Sequence, residues 1–171
     1  MRTASADAES TDPKKGASMR RKDREQSKEF GWSVLETCPY AVLSTTDETG
    51  LPYSIPVSPA VLDGVIYFHS AKHGTKSKLL REHPDVCLVG VRDVVPLPEA
   101  YSTEYASAVA LGTVAEVTDD AERIAALRAI AERYATENLG HFEAALAEEL
   151  SRTLVWKITP TEITAKARLH A

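Results

Sequence analysis

Between residues 40 and 118 the apolar side chains mostly follow the two-residue period of β-strands, in short runs divided by turn sequences. The clearest turn is Asp63-Gly64, which stands between two apolar runs and predicts a hairpin. Pro52 and Pro56 lie within another run and predict an edge strand, because proline cannot donate the backbone hydrogen bond that a central strand needs. The short connections predict an antiparallel sheet and not the β-helix-β alternation of a parallel one.

Helical periodicity occurs before, within and after this β region. It predicts helices over residues 22–36 and 75–82, and two more after Asp119 that Gly140 separates. Asp119 and Glu122 have the spacing of a capping pair at the start of the third helix. The helix that follows them carries one apolar stripe, formed by Ile124, Leu127, Ile130 and Tyr134. These helices are predicted to be additions to the sheet.

Prolines predict where the later strands end. Residues 93–104 hold Pro96 and Pro98 and are predicted to form a loop. Pro160 is predicted to divide the last β segment into two strands. The chain is therefore predicted to be mainly β, an antiparallel β-barrel of six or seven strands with helical additions.

Composition limits the class of protein. The 171 residues suit one domain, predicted here as residues 19–171, after a polar tail of residues 1–18 that is predicted to be disordered. A net charge of −5 argues against general nucleic-acid binding. No apolar run approaches the roughly 18–20 residues of a membrane span, and the polar start lacks the apolar core of a secretory signal. We expect a cytoplasmic protein with no nucleic-acid or membrane partner.

Residues 64–81 differ in charge from the rest of this acidic chain. They contain no Asp or Glu but carry six basic or titratable side chains: His69, Lys72, His73, Lys76, Lys78 and Arg81. Several of these lie where the short second helix begins, and positive side chains there oppose the helix dipole unless an anion is bound. Gly74, Thr75 and the lysines could form a phosphate site, or they could form a solvated lysine-rich turn. The residue types alone leave both interpretations open.

Several familiar sites are absent from the sequence. It has no Walker motif and no G-x-G-x-x-G fingerprint, so nucleoside-triphosphate and Rossmann chemistry are not predicted. It has no C-x-x-C or G-x-S-x-G pattern, and Cys38 and Cys87 cannot form a four-ligand zinc site, so no metal site is predicted. His69, at the end of a predicted strand, is either a hydrogen-bonded structural residue or a group that faces a pocket.

Five motifs occur in order along the chain: M-R-R-K-D-R-E at 19–25, G-L-P-Y-S-I-P-V-S at 50–58, Y-F-H-S-A-x-x-G-x-K at 67–76, Y-A-S-A-V-A-L-G at 105–112 and W-K-I-T-P-x-x-I-T-A-K at 156–166. Together they resemble the nitroimidazole-resistance (Nim-type) branch of the pyridoxamine 5′-phosphate oxidase-like flavoproteins. The resemblance implies an FMN-binding split barrel. It also implies a homodimer with one FMN at each of two subunit interfaces.

The resemblance also implies roles for particular residues. Pro56, Val57 and Ser58 would run beside the flavin ring, and His69 and Ser70 would lie near the ring and the phosphate. Lys76 would bind the FMN phosphate, with Thr75 beside it. Two further flavin contacts, from the partner subunit, would be Ser107 and Trp156.

Two departures from the family pattern bear on function. Thr75-Lys76 stands where the pyridoxamine phosphate oxidases place an arginine-lysine pair, and their late substrate-binding arginine–histidine signature is missing, which argues against vitamin B6 oxidation. The remaining hypothesis is an FMN-dependent oxidoreductase acting on a small planar molecule, with nitroaromatic reduction as one candidate and His69 as the proton donor. The alternatives are a flavin-binding protein or sensor without turnover, or the same barrel holding haem or a deazaflavin.

Overall fold

The computed structural model describes residues 19–169, so the predicted tail at residues 1–18 lies outside the described part. Four α-helices are present: α1 (Lys28–Thr37), α2 (Thr75–Glu82), α3 (Asp120–Tyr134) and α4 (Phe142–Glu149). The eight strands are β1 (Glu25–Gln26), β2 (Ala41–Thr46), β3 (Pro52–Val57), β4 (Ala60–Leu62), β5 (Val65–Ala71), β6 (Asp85–Leu97), β7 (Ser102–Glu116) and β8 (Thr153–Arg168). Among these helices, none is long and apolar enough to cross a membrane.

All the strands belong to one antiparallel sheet, in the order β3-β2-β6-β7-β8-β5-β4, with β1 paired to β8. The mainly β, antiparallel prediction is confirmed, with eight strands in place of six or seven. The two ends of this order, β3 and β4, are consecutive in the chain and are joined only by Ser58 and Pro59. The curled sheet therefore brings its two edges together at a two-residue connection.

The turns predicted from the sequence are confirmed. Asp63 and Gly64 join β4 to β5 with φ angles of 49° and 76°, the left-handed pair that a tight hairpin needs. The proline-containing strand β3 lies at the edge of the sheet and pairs only with β2. Helix α2 covers the predicted residues 75–82.

The first helix differs from its prediction. Within the predicted range 22–36, a short 3₁₀ turn and strand β1 come first, and helix α1 begins only at Lys28. Ser27 caps this helix, because its Oγ accepts a hydrogen bond of 3.2 Å from the backbone N–H of Phe30. The two residues directly before Ser27 form strand β1 instead of helix, and Glu25 pairs with Lys166 of β8.

Two predictions based on proline are wrong, and β-bulges give the reason. Strand β6 continues through the predicted loop to Leu97, after a register shift between Arg92 and Val95. Pro96 fits there because this part of β6 pairs with β7 alone, which makes it locally an edge. Residues 153–168 form one strand instead of two, because a second register shift beside Leu111 absorbs Pro160.

Gly112 lies at this second shift, and the main chain of β8 crosses it closely. A Cβ atom on Gly112 would lie 2.3 Å from the carbonyl oxygen of Thr159, a backbone atom that cannot rotate away. We expect Gly112→Ala to lower the free energy of unfolding by about 1–3 kcal/mol, measured by urea denaturation. Gly140→Ala is the control, because nothing lies within 4 Å of its Cβ position, and equal losses for both variants would contradict this interpretation.

Helix α3 is anchored to the sheet through polar side chains. The hydroxyl of Tyr67 and the ammonium of Lys157 each donate to Glu122 Oε1, at 2.9 Å. Burial, followed by the hydrogen bond to Glu122, raises the pKa of Tyr67 to about 12, so this phenol stays protonated. Arg123 donates to two backbone carbonyls where the α4 segment meets β8, those of Leu150 and Thr153. The start of α3 and the end of the α4 segment are therefore fixed together.

The other end of α3 is held by Arg133. Its Nη1 donates to the carbonyls of Leu35 and Pro59, at 2.8 and 2.6 Å, and its Nη2 donates to the carbonyl of Cys38. The hydroxyl of Tyr134 donates to the same Pro59 carbonyl at 3.1 Å. One guanidinium thus joins α3 to the end of α1 and to the connection between β3 and β4.

Candidate functional site

Helix α2 begins with backbone N–H groups that have no partner in the helix and with Lys76, which has no acidic partner among the described residues. Gly74 precedes the helix with φ 127°, and the first turn contains no acidic residue. The first backbone N–H groups of an α-helix have no partner within the helix, so those of Thr75 and Lys76 are available. Lys76 is half-buried, and none of the ion pairs or hydrogen bonds found within residues 19–169 involves its ammonium.

The two neighbouring lysines of α2 are in different environments. Burial lowers the pKa of Lys76, so its positive charge is held at a cost that a bound anion would offset. Lys78 is exposed, and its Nζ lies 3.9 Å from Glu82 Oε2. Of the two, Lys76 has the environment of an anion-binding cation.

His69 lies on the outer face of β5. Although solvent reaches its ring, the surrounding protein lowers the pKa of His69, by burial first and then by the positive charge of Lys76. The imidazole is therefore neutral at pH 7 and offers one donor and one acceptor nitrogen. The structure brings His69 and Lys76 close enough for one charge to act on the other.

Ser70 and Trp156 face the other way, into the barrel. Successive side chains of a strand point to opposite faces, so His69 and Ser70 separate across the sheet. Trp156 is 1% exposed, stacks on Phe68 with ring centroids 6.4 Å apart, and donates from Nε1 to Ser70 Oγ at 2.9 Å. Ser70 Oγ in turn donates to the carbonyl of Ala71 at 3.0 Å. The structure brings Ser70 and Trp156 together inside the core, on the opposite face of β5 from His69.

The three predicted ring-side residues lie where β3 ends. Val57 is buried in the core, whereas Pro56 is exposed and Ser58 is partly exposed. Because β3 is an edge strand, one side of its backbone has no partner strand among the described residues. The Arg133 and Tyr134 hydrogen bonds to Pro59 fix the chain immediately after Ser58.

Ser107 lies elsewhere in the sheet. It is on β7, between Val91 of β6 and Lys166 of β8, and its Oγ donates to the carbonyl of Lys166 at 3.2 Å. Strands β6 and β2 separate β7 from β3, and strand β8 separates it from β5. Within one chain Ser107 is therefore not part of the group around His69 and Lys76, and its contact with a flavin bound to a partner subunit stays a prediction.

A cavity that no motif of the sequence indicated lies above the outer face of β5. This space, which we call the cap cavity, measures about 420 Å³ and lies between β5 and the helices α3 and α4. His69 and Thr153 line it from the sheet. Most of the other lining residues are apolar: Leu127, Ile130, Phe142, Ala145, Leu146 and Leu150. Leu127 and Ile130 belong to the predicted apolar stripe of α3, and the stripe gave the only signal for the cavity.

A family model described as pyridoxamine 5′-phosphate oxidase matches residues 27–167. The chain belongs to this family. The resemblance predicted from the five motifs is thereby confirmed at the level of the family. Comparison with curated protein sequences found no match.

Solved structures of the same fold include members described in different ways. One is a protein from Bacteroides thetaiotaomicron provisionally assigned to 5-nitroimidazole antibiotic resistance, with 23% identity, TM-score 0.70, and coverage of 83% of this chain and 84% of that one. Another is the flavocytochrome Anf3 from Azotobacter vinelandii, with 22% identity, TM-score 0.71, and coverage of 90% and 73%. A third is an FAD and haem binding protein from Mycobacterium smegmatis, with 22% identity, TM-score 0.70, and coverage of 86% and 74%. At these identities the likeness establishes the fold of this family member.

Proposed function

We propose that this chain is a flavoprotein that binds FMN at α2 and β3, and acts as an oxidoreductase on a small planar molecule. The observation that carries the proposal is Lys76, a half-buried cation at a helix N-terminus with no anionic partner among the described residues. A flavin phosphate supplies the missing negative charge. The family assignment and the flavin-binding proteins of the same fold support the proposal.

The flavin phosphate binds Lys76 and the backbone N–H groups at the start of α2, with the Thr75 hydroxyl beside them. The edge of β3 at Pro56 and Ser58 lies beside the ring and offers it unpaired backbone groups. When bound, the flavin supplies the electron transfer, and the protein orients it and excludes water. Nitroaromatic compounds are one class of planar acceptor that such a site would reduce.

His69 is the proton donor in this proposal. Its lowered pKa leaves the imidazole neutral at pH 7, so its unprotonated ring nitrogen takes a proton from the solvent that reaches the ring, and the resulting imidazolium passes that proton to the reduced acceptor. The positive charge of Lys76 contributes to the lowered pKa of His69, so at pH 7 the histidine does not place a second full positive charge next to the phosphate.

A second copy of the chain completes the site in this proposal. A groove of about 750 Å³ between α1, β2 and β6 is lined by apolar side chains that include Val42, Val89 and Val91. Tyr40 and Val94 at this groove are 56% and 58% exposed, so a largely apolar surface, which also carries the Arg92–Asp93 ion pair, lacks a partner within the described residues. We propose that this surface is the homodimer interface.

We expect sedimentation to give a mass twice that of one chain at micromolar concentration. Val94→Glu would place a charge in the proposed interface and should produce monomers that bind flavin less tightly. Thr113→Glu, on the exposed part of β7 and outside the groove, is the control. A monomer that holds flavin tightly would contradict the dimer proposal.

The visible spectrum of the purified full chain tests the proposed function. We expect the absorption bands of an oxidised flavin. The bands of haem or of a deazaflavin would overturn the proposal. A colourless protein that takes up no added flavin would overturn it as well. Reoxidation of the reduced protein by nitroaromatic and quinone acceptors then tests turnover. Failure of every acceptor to speed reoxidation would indicate a flavin-binding protein without turnover.

A further inference from the structure

Residues 93–104 form a hairpin arm that projects beyond the rest of the sheet. Strand β2 pairs with β6 only as far as Gly90, and β8 pairs with β7 only as far as Tyr105. Among the described residues, the two strands of the arm therefore pair with each other alone. The arm nevertheless exposes the large apolar side chains of Val94 and Val95. Because a two-stranded hairpin is only marginally stable by itself in water, an arm of this composition needs a surface to pack against.

Continuity with the proposed dimer groove favours a second copy of this chain as that surface. Val91 and Val94, at the base of the arm, also line the groove. Because a two-fold interface buries the same patch on both subunits, an arm that begins in this groove lies across the same groove of the partner subunit. Pro96 and Pro98 lack the N–H groups that pairing with an added strand needs, so the arm docks through its side chains.

The strand edge proposed for the flavin ring lies directly beside this groove. Val42 lines the groove and pairs with Pro56 on one side and with Val89 on the other. Neighbouring strands are about 4.8 Å apart, so β3 lies about 10 Å from β6. Within the arm, β6 runs from Asp93 to Leu97, which spans about 13 Å at about 3.3 Å per residue. The arm is therefore long enough to cross the partner's β6 and β2 and to reach the partner's β3.

Tyr101 lies at the tip of the arm in an unusual backbone conformation. It follows the short turn Pro98–Ala100, and its φ of 45° is in the left-handed region, which a bulky residue adopts at a cost and which asparagine or glycine adopts more readily. The side chain is 99% exposed, so contacts within the described part of its own chain do not offset that cost. An aromatic ring in this position is suited to cover a planar ligand held by another subunit.

We propose that the arm is exchanged between two subunits, and that Tyr101 of each arm covers the flavin ring bound to the partner subunit. This inference rests on the proposed flavin site and names the segment and the side chain that the second copy supplies to it. Each flavin then lies between the β3 edge of one chain and the arm of the other. A single chain binds the phosphate through Lys76 but leaves one face of the ring to water.

Substitutions at the tip test this contact by titration of flavin-free full-length protein with FMN and with riboflavin. Tyr101→Asn suits the left-handed turn but removes the ring, and we expect it to weaken both ligands about tenfold, because the contact is with the ring and not with the phosphate. Tyr101→Phe keeps the ring and should stay within about twofold of the parent protein. Glu99→Ala, in the same turn, is the control and should change neither affinity. Sedimentation should show that all three variants remain dimers.

A mixed dimer shows which chain supplies the tyrosine. Tyr101→Asn and Lys76→Ala chains are co-expressed with different affinity tags, and the heterodimer is purified through both tags. With an exchanged arm, one site combines Lys76 of one chain with Tyr101 of the other, whereas the second site lacks both. We therefore expect one site per heterodimer to bind FMN as tightly as the parent protein. If Tyr101 acted within its own chain, each site would lack one residue, and the absence of any tight site would overturn the proposal.

The other outcomes separate this inference from the proposed function. Unchanged flavin affinity in Tyr101→Asn would overturn the exchanged arm and leave the flavin site of each chain in place. A monomeric Tyr101→Asn protein would also overturn it, because the tyrosine would then act on dimer formation and not on the ring. Failure of the parent protein to bind either FMN or riboflavin would overturn the proposed function itself.

Discussion

Replacing Arg133 with methionine is expected to lower the free energy of unfolding by about 2–4 kcal/mol, measured by urea denaturation of the flavin-free protein. The guanidinium of Arg133 donates to the carbonyls of Leu35, Cys38 and Pro59, and the Pro59 carbonyl also accepts from Tyr134. Methionine keeps most of the side-chain volume but removes the guanidinium from the Leu35 and Cys38 carbonyls, each loss costing about 1–3 kcal/mol when solvent cannot reach the carbonyl. Arg133 is partly exposed, so we expect a value in the lower half of that sum.

A second arginine of the same helix provides the control. Arg128 forms an ion pair with Glu143, and the two side chains are 44% and 76% exposed. Exposed pairs of this kind contribute less than about 1 kcal/mol, so Arg128→Met should be nearly neutral. Arg133→Lys should recover only part of the loss, because one ammonium cannot reproduce the divergent geometry of a guanidinium. Equal stability of the Arg128 and Arg133 variants would show that the three carbonyls find other donors.

Replacing Lys76 with alanine is expected to weaken FMN binding by about ten- to a hundredfold. A charge-assisted hydrogen bond to a phosphate in a partly desolvated site is worth roughly 1.5–3 kcal/mol, and each 1.4 kcal/mol is a factor of ten. Riboflavin lacks the phosphate, so its affinity should barely change. Titration of the flavin-free variant with both ligands measures the difference.

Two comparisons make the Lys76 prediction specific. Lys78 already lies 3.9 Å from Glu82 and is on another side of α2, so Lys78→Ala should have a much smaller effect on FMN. Because burial lowers the pKa of Lys76, its charge is unfavourable in the empty protein, and the flavin-free Lys76→Ala variant should be at least as stable as the parent. Equal losses of FMN and riboflavin, together with lower stability, would mean that Lys76 supports the fold and not the phosphate.

Local signals in the sequence predicted much of the fold. The Asp63-Gly64 turn needs only its own two residues, and the Asp119 cap is confirmed by a 2.8 Å hydrogen bond from the Glu122 N–H. The outcome at Pro96 and Pro160 could not be predicted in this way, because it depends on which neighbouring strand is present and in which register. Strand periodicity therefore predicted the class of fold, whereas the β-bulges determine where strands β6 and β8 end.

The candidate site shows a similar division. The cation-rich segment correctly indicated where an unpaired lysine lies, since charge imbalance is visible in the sequence. Period-two alternation already implied that His69 and Ser70 point to opposite faces, but the motif resemblance treated them as one pair. The cap cavity could not be predicted, because an apolar stripe has the same sequence pattern whether it packs fully or leaves space.

The two-residue connection between β3 and β4 limits how far the two edges of the sheet can separate. Its edges are held together by covalent chain and by the hydrogen bonds of Arg133 and Tyr134 to the Pro59 carbonyl, not by a ladder between β3 and β4. Three peptide links join Val57 to Ala60, so the Cα atoms of these two residues can separate by at most about 10 Å, whatever side chains surround them. Inserting glycines into this connection would let β3 and β4 move further apart, while every strand pair stayed in register.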